Sequence, residues 1–217
     1  MWFISWQSIV RAVWKFCCLK IISRVKWEWI FGKTRYQLTD AELDDVRRVL
    51  IDEHCIILIR RRAHLTTWLL SLSELILRKR TAYWSHCALN LDNEVNKDSD
   101  FRIAEAIAGG VIVSPFMQVF NCDSVVLLRP RAFTSEDWEA ALWAVAQDVG
   151  KPYDSLFDFC DDTEMSCSEL IRDALRATPG YYGRFPVLEH MLWYYGKLTP
   201  QMIYESGEFD VVLEFRH

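Results

Sequence analysis

The chain has 217 residues, of which 51% are hydrophobic and 25% charged, with a formal net charge of -5. That balance excludes a disordered chain and gives enough apolar surface for one well-packed domain plus an extension. Residues 1–35 hold seven Lys or Arg and one acid, Glu28, so they carry +6 and leave -11 on the rest, an acidity that argues against nucleic acid as a partner of the body.

Residues 1–40 read as a basic, Trp-rich helical extension, and residues 41–217 as the catalytic-size domain. In the extension Arg11 and Lys15 share one helical face, while Lys20 and Arg24 share another. With Trp2, Trp6, Trp14, Trp27 and Trp29 in the same span, three readings stay open: packing on its own domain, a membrane interface, or a protein partner. The basic residues interrupt any signal-like run, no stretch approaches ~18 apolar residues, and the expected location is the cytoplasm or a membrane periphery.

Thr39-Asp40-Ala41-Glu42 is a capping box that opens a helix through Leu50. His54 to Ile59 has the length and composition of a buried strand, and Leu65 to Leu77 fits an amphipathic helix. Trp84–Leu91 and Phe101–Ala106 are strand-like and flank the polar turn Asp92–Asp100, which lacks the glycine and terminal glutamate of a calcium loop. Strands follow at Val111–Val113 and Ser124–Leu128, then a helix from Ser135 to Val149 closed by Gly150. A helix starts at Cys167, another at Thr199-Pro200, and a strand closes the chain from Phe209 to Phe215. Helices, a mostly antiparallel meander, a further helix and a last strand make an α+β fold. The runs Arg60-Arg61-Arg62 and Arg78-Lys79-Arg80 read as solvated faces.

The seven cysteines are odd in number and form no Cys-x-x-Cys pair, so a reducing compartment is expected and zinc is not. One of them stands apart. Cys167 lies at a helix start, where the dipole and free N–H groups favour a thiolate, and His86 lies in a strand from which an imidazole can take its proton. If the Asp92–Asp100 turn is centred on Val95-Asn96, His86 falls opposite Glu105, whose carboxylate would fix the tautomer and stabilise the imidazolium. The bland readings are a small core Cys167, a satisfied core His86, and Glu105 as ion-pair partner of Arg102, Arg129 or Arg131. The acidic run Asp161-Asp162-Thr163-Glu164 would raise the thiol pKa if it faced the sulfur.

These segments resemble the circularly permuted branch of the NlpC/P60 papain-like superfamily, the YiiX/YaeF-like cysteine hydrolases. The resemblance runs in order through Ser85-His86, Ala104-Glu105-Ala106 with Gly109-Gly110-Val111, and Val125 to Pro130. It continues through Gly150-Lys151-Pro152-Tyr153-Asp154 with Phe157, then Ser166 to Ile171, and Thr199-Pro200 to Phe209. It departs at Ala88, where the family often has glycine, and at Glu53-His54, where it usually has Gly-Asp. The resemblance implies a papain-like fold, Cys167 as nucleophile, His86 as general base, Glu105 as the group orienting it, and Tyr153 bordering the substrate. It implies no metal and no cofactor, and hydrolysis or acyl transfer at an amide or ester of a peptide, a peptidoglycan stem or a lipid. Two alternatives are an inactive papain-like binding module held by the N-terminal extension, and a membrane-surface acyltransferase.

Overall fold

The structure is a computed structural model that describes residues 37–61, 75, 78–92, 101–131, 133–154, 159 and 161–217. The readings on residues 1–36, on the helix from Leu65 to Leu77, on Phe157 and on most of the Asp92–Asp100 turn lie outside the described residues.

Helix α1, Asp40–Asp52, starts at the expected capping box: the Glu42 N–H donates to Thr39 Oγ1, and the Thr39 N–H donates to Glu42 Oε2 at 2.7 Å. Six strands follow: β1 Ile56–Arg60, β2 His86–Asn90, β3 Arg102–Ile107, β4 Gly110–Pro115, β5 Ser124–Pro130 and β6 Phe209–Phe215. They form one sheet in the order β4-β3-β2-β1-β5-β6, antiparallel at every pairing. The chain therefore meanders from β1 to the β4 edge and then crosses back, through the short helix α2 (Phe116–Val119), to lay β5 against β1.

Strand alternation divides the buried side chains between two cores. Leu58, Cys87, Leu89, Ala104 and Ala106 face the first core. Helices α3 (Ser135–Asp148), α4 (Cys167–Arg176) and α7 (Pro200–Glu205) pack there, as do residues of α5 (Tyr181–Arg184) and α6 (Pro186–Tyr195). Ile57, Ile59, Ala88 and Ile103 face the second, against α1 and α2. The result is the expected α+β fold. Three short helices, α2, α5 and α6, escape the sequence reading, because two have only four residues and the aromatic-rich α6 has little apolar periodicity to mark it.

The arginine runs are not simply solvated. Arg61 donates to the Gln118 and Val119 carbonyls at the end of α2, at 3.0 and 2.9 Å. Arg60 stacks over Tyr83, and Arg78 is buried against Glu205 at 2.5 Å. The heads of Arg61 and Arg78 thus find carbonyl and carboxylate acceptors, while that of Arg60 rests on an aromatic face. Among the described residues no helix is long and apolar enough to cross a membrane.

Candidate active site

Ser166 caps α4: its hydroxyl accepts from the Glu169 N–H at 3.4 Å, and its own N–H donates to Glu169 Oε2 at 2.8 Å. This reciprocal cap fixes Cys167 as the first helical residue, where backbone N–H groups lack intrahelical acceptors and the dipole favours negative charge. The Cys167 side chain is directed inward, and the residue is only 2% exposed. Helix α4 lies on β2 and β3, the strands that carry the other two candidates.

His86 is the first residue of β2, and Glu105 lies in β3. The observed register pairs Glu105 with Ala88, so the expectation of His86 directly opposite Glu105 is off by two residues. A shift of two keeps both side chains on one face, whereas a shift of one would have separated them. The diagonal is short enough to bridge: His86 Nε2 lies 2.8 Å from Glu105 Oε2. That contact commits Nε2 to Glu105, while the charge of Cys167 acts on the same ring. None of the three proposed arginines takes Glu105. Arg102 is held by Asp92, Arg129 by Glu53 and Asp210, and Arg131 by Asp210.

The charges support one another. Burial alone would lower the His86 pKa, but the charge of Cys167 and its hydrogen bond, together with Glu105, raise it to about 9. Glu105 is buried, which favours the neutral acid, yet the His86 bond and charge, the Ser114 hydroxyl and the Arg61 guanidinium keep it ionised. Cys167 is held well below the ordinary thiol range by hydrogen bonding from Cys87 and by the His86 charge, against the cost of burial. These shifts favour a thiolate beside an imidazolium. Within the acidic run, Asp161 is turned into its own turn and accepts from the Thr163 N–H at 3.0 Å and hydroxyl at 2.6 Å.

Tyr153 is brought to the same place by a backbone clamp. The Val111 N–H donates to the Lys151 carbonyl and the Gly150 N–H to the Val111 carbonyl, both at 2.9 Å. Tyr153 then bridges Met165, two residues before the nucleophile. The clamp requires Gly110: its φ is +107°, and a Cβ there would lie 2.5 Å from the Lys151 oxygen. Burial and the Cys167 charge both push the Tyr153 phenol up, so it stays a proton donor. Burial likewise raises the Glu169 carboxyl to about 7, despite the hydrogen bonds from Ser166.

Two residues of the site were not singled out from sequence. Cys87 and Ser168 flank the Cys167 sulfur: Ser168 Oγ lies 3.9 Å from the sulfur of Cys87 and 4.0 Å from that of Cys167. The signal for Cys87 was its place beside His86 in a strand, where the two neighbours point to opposite faces and one must meet the helix layer.

No curated protein matches the chain in sequence. A crystal structure of metalloprotein yiiX from Escherichia coli O157:H7 (DUF1105) is similar in fold, with a TM-score of 0.54, 17% identity, and coverage of 76% of this chain and 99% of that one. Among the described residues no three His, Cys, Asp or Glu side chains group as metal ligands. The model of the permuted papain-like amidase enzymes, YaeF/YiiX, C92 family, matches residues 51–213. That span holds every strand of the sheet but the last two residues of β6, with the histidine ahead of the cysteine as circular permutation requires; the chain belongs to the permuted papain-like amidase family.

Proposed function

We propose that this protein is a cysteine hydrolase or acyl-transfer enzyme that opens an amide bond with Cys167 as nucleophile, His86 as acid and base, and Glu105 as the group orienting the imidazole. The observation that carries the reading is the 2.8 Å contact between His86 Nε2 and Glu105 Oε2, with Cys167 at the start of the helix that lies on the two strands carrying them. The thiolate attacks the carbonyl carbon, and the tetrahedral oxyanion forms beside the backbone N–H of Cys167 at the start of α4. The imidazolium gives its proton to the departing amine, which leaves a thioester on Cys167. Neutral His86 then takes a proton from water, or from another acceptor, as that molecule attacks the thioester. Tyr153, kept protonated by burial, borders the acyl group as a donor. An amide of a peptide, a peptidoglycan stem or a lipid fits this chemistry.

The test uses the activated ester p-nitrophenyl acetate with peptide mass spectrometry. Acetylation concentrated on Cys167, abolished in Cys167→Ala and slowed at least tenfold in His86→Ala, is expected. Acetylation spread evenly over the cysteines, or unchanged without His86, overturns the reading and leaves a papain-like binding module.

A further inference from the structure

Helix α6 is apolar on two opposite faces. Leu188, Met191, Leu192 and Tyr195 pack into the first core, while Pro186, Val187, His190, Trp193 and Tyr194 lie on the outward side, a separate stripe at the helical period. Trp193 is 79% exposed and Tyr194 66%. The one acid of the helix, Glu189, is turned away to Arg176 at 2.9 Å and to the Tyr181 hydroxyl at 2.7 Å. Glu208 accepts from the Val187 and Leu188 N–H groups at 2.7 and 2.9 Å, which fastens the helix start. Cations gather at the other end. Lys197 follows the helix two residues on, and Arg78 stacks over Tyr195 at 5.7 Å from the ring centroid, which brings the run Arg78-Lys79-Arg80 to the same place. Glu205 meets Arg78 at 2.5 Å and Arg80 at 3.8 Å, one carboxylate against two guanidinium groups, and the Arg80 side chain stays 70% exposed.

We propose that the outward face of α6, with the basic rim at its C-terminal end, seats the protein on an anionic lipid surface, Trp193 and Tyr194 entering the headgroup layer. The proposal stands apart from the assignment of Cys167. Trp and Tyr rings carry a large apolar body with a polar tip, which suits the boundary between headgroups and acyl chains, and neighbouring Lys and Arg side chains meet lipid phosphates and carboxylates. Water alone does not select a helix with an apolar outer face, so the face has an occupant. Charge decides which. Residues 1–35 are also Trp-rich but carry +6, the same sign as the rim, so they do not complement it. An anionic surface does. The rest of the chain totals -11, so such a surface repels most orientations and draws in this basic end.

The experiment is co-sedimentation of the full chain with vesicles of phosphatidylcholine mixed with phosphatidylserine, and with vesicles of phosphatidylcholine alone. The wild type is compared with the double variants Trp193→Ala/Tyr194→Ala and Lys79→Gln/Arg80→Gln. All four side chains are exposed, so their loss leaves the fold intact, and thermal melts check this. The wild type is expected to bind the mixed vesicles, to bind phosphatidylcholine alone far more weakly, and to be released by added salt. The aromatic variant should bind the mixed vesicles about tenfold more weakly or worse, for loss of the buried ring area. The charge variant should lose at least about fivefold, the worth of one cation near an anionic surface. A wild type that ignores the mixed vesicles, or binds both kinds equally, overturns the proposal. So does binding unchanged in either variant, which would make residues 1–35 the membrane contact. Sedimentation velocity without lipid tests the remaining occupant: a wild-type dimer that the aromatic variant splits would show that a second copy covers the face, and would also overturn the proposal.

Discussion

Among single residues, the chemistry of the site turns on where protons sit. His86 is protonated up to about pH 9 because Cys167 and Glu105 both bring negative charge to its ring. Removing either charge destabilises the imidazolium and must lower that value towards the ordinary 6.5. Proton NMR titration of the His86 ring in Cys167→Ala and in Glu105→Gln should therefore show pKa values below the wild type's. An unchanged value in either variant would mean that the corresponding group does not face the ring. Cys167→Ala should also keep the fold, because a small residue replaces a small one at a helix start whose cap is made by Ser166 and Glu169, not by Cys167. Its melting temperature is expected within a few degrees of the wild type, a stability change of about 1 kcal/mol or less. Unfolding of the variant would instead make the cysteine a structural residue. That these three residues meet was legible from local signals: a helix-start cysteine, a strand histidine, and a glutamate in an apolar run. Cys87 was not, because a buried cysteine reads as packing until the strand's facing is known.

At the scale of elements the site depends on a junction, not on a motif. The clamp between Val111 and the Gly150-Lys151 turn carries Tyr153 to Met165 and hence to the mouth of α4. Gly110→Ala places a methyl group against the Lys151 carbonyl at a positive φ, so the turn must move or the strand must shift. A loss of more than about 1 kcal/mol in urea unfolding is expected. Hydrogen exchange at the Val111 amide should quicken with it. Wild-type stability and exchange in the variant would show that the turn can yield without cost. The Gly109-Gly110 step was visible in sequence as punctuation, but its partner forty residues on was not, because nothing local records a contact between distant turns. The β2–β3 register shows the opposite case. The turn length gave the facing of His86 and Glu105 but missed the pairing by two residues, since the position of the turn's centre is set by residues with no strong local preference.

At the scale of the molecule, one sheet separates two cores, and neighbouring residues of its central strand feed opposite sides. Ile57 is fully buried towards α1 and α2, and Leu58 towards α3, α4 and α7. Truncating either to alanine should cost about 2–5 kcal/mol. If the sheet makes the two cores cooperative, each variant melts as a single transition monitored from either side; two separated transitions would mean that the layers fold independently. The α+β order and all six strands could be read from alternation and turn residues. The crossover from the β4 edge back to β1 could not, because a four-residue helix leaves too little periodicity to announce it.

Everything proposed for the site depends on the activation of Cys167 by His86. The most direct test is the pH profile of iodoacetamide labelling at Cys167 in the wild type and in His86→Ala. Labelling is expected to persist well below the ordinary thiol pKa of about 8.5 and to collapse in the variant to the rate of the other cysteines. Labelling of Cys167 no faster than its neighbours, or indifferent to the loss of His86, would contradict it.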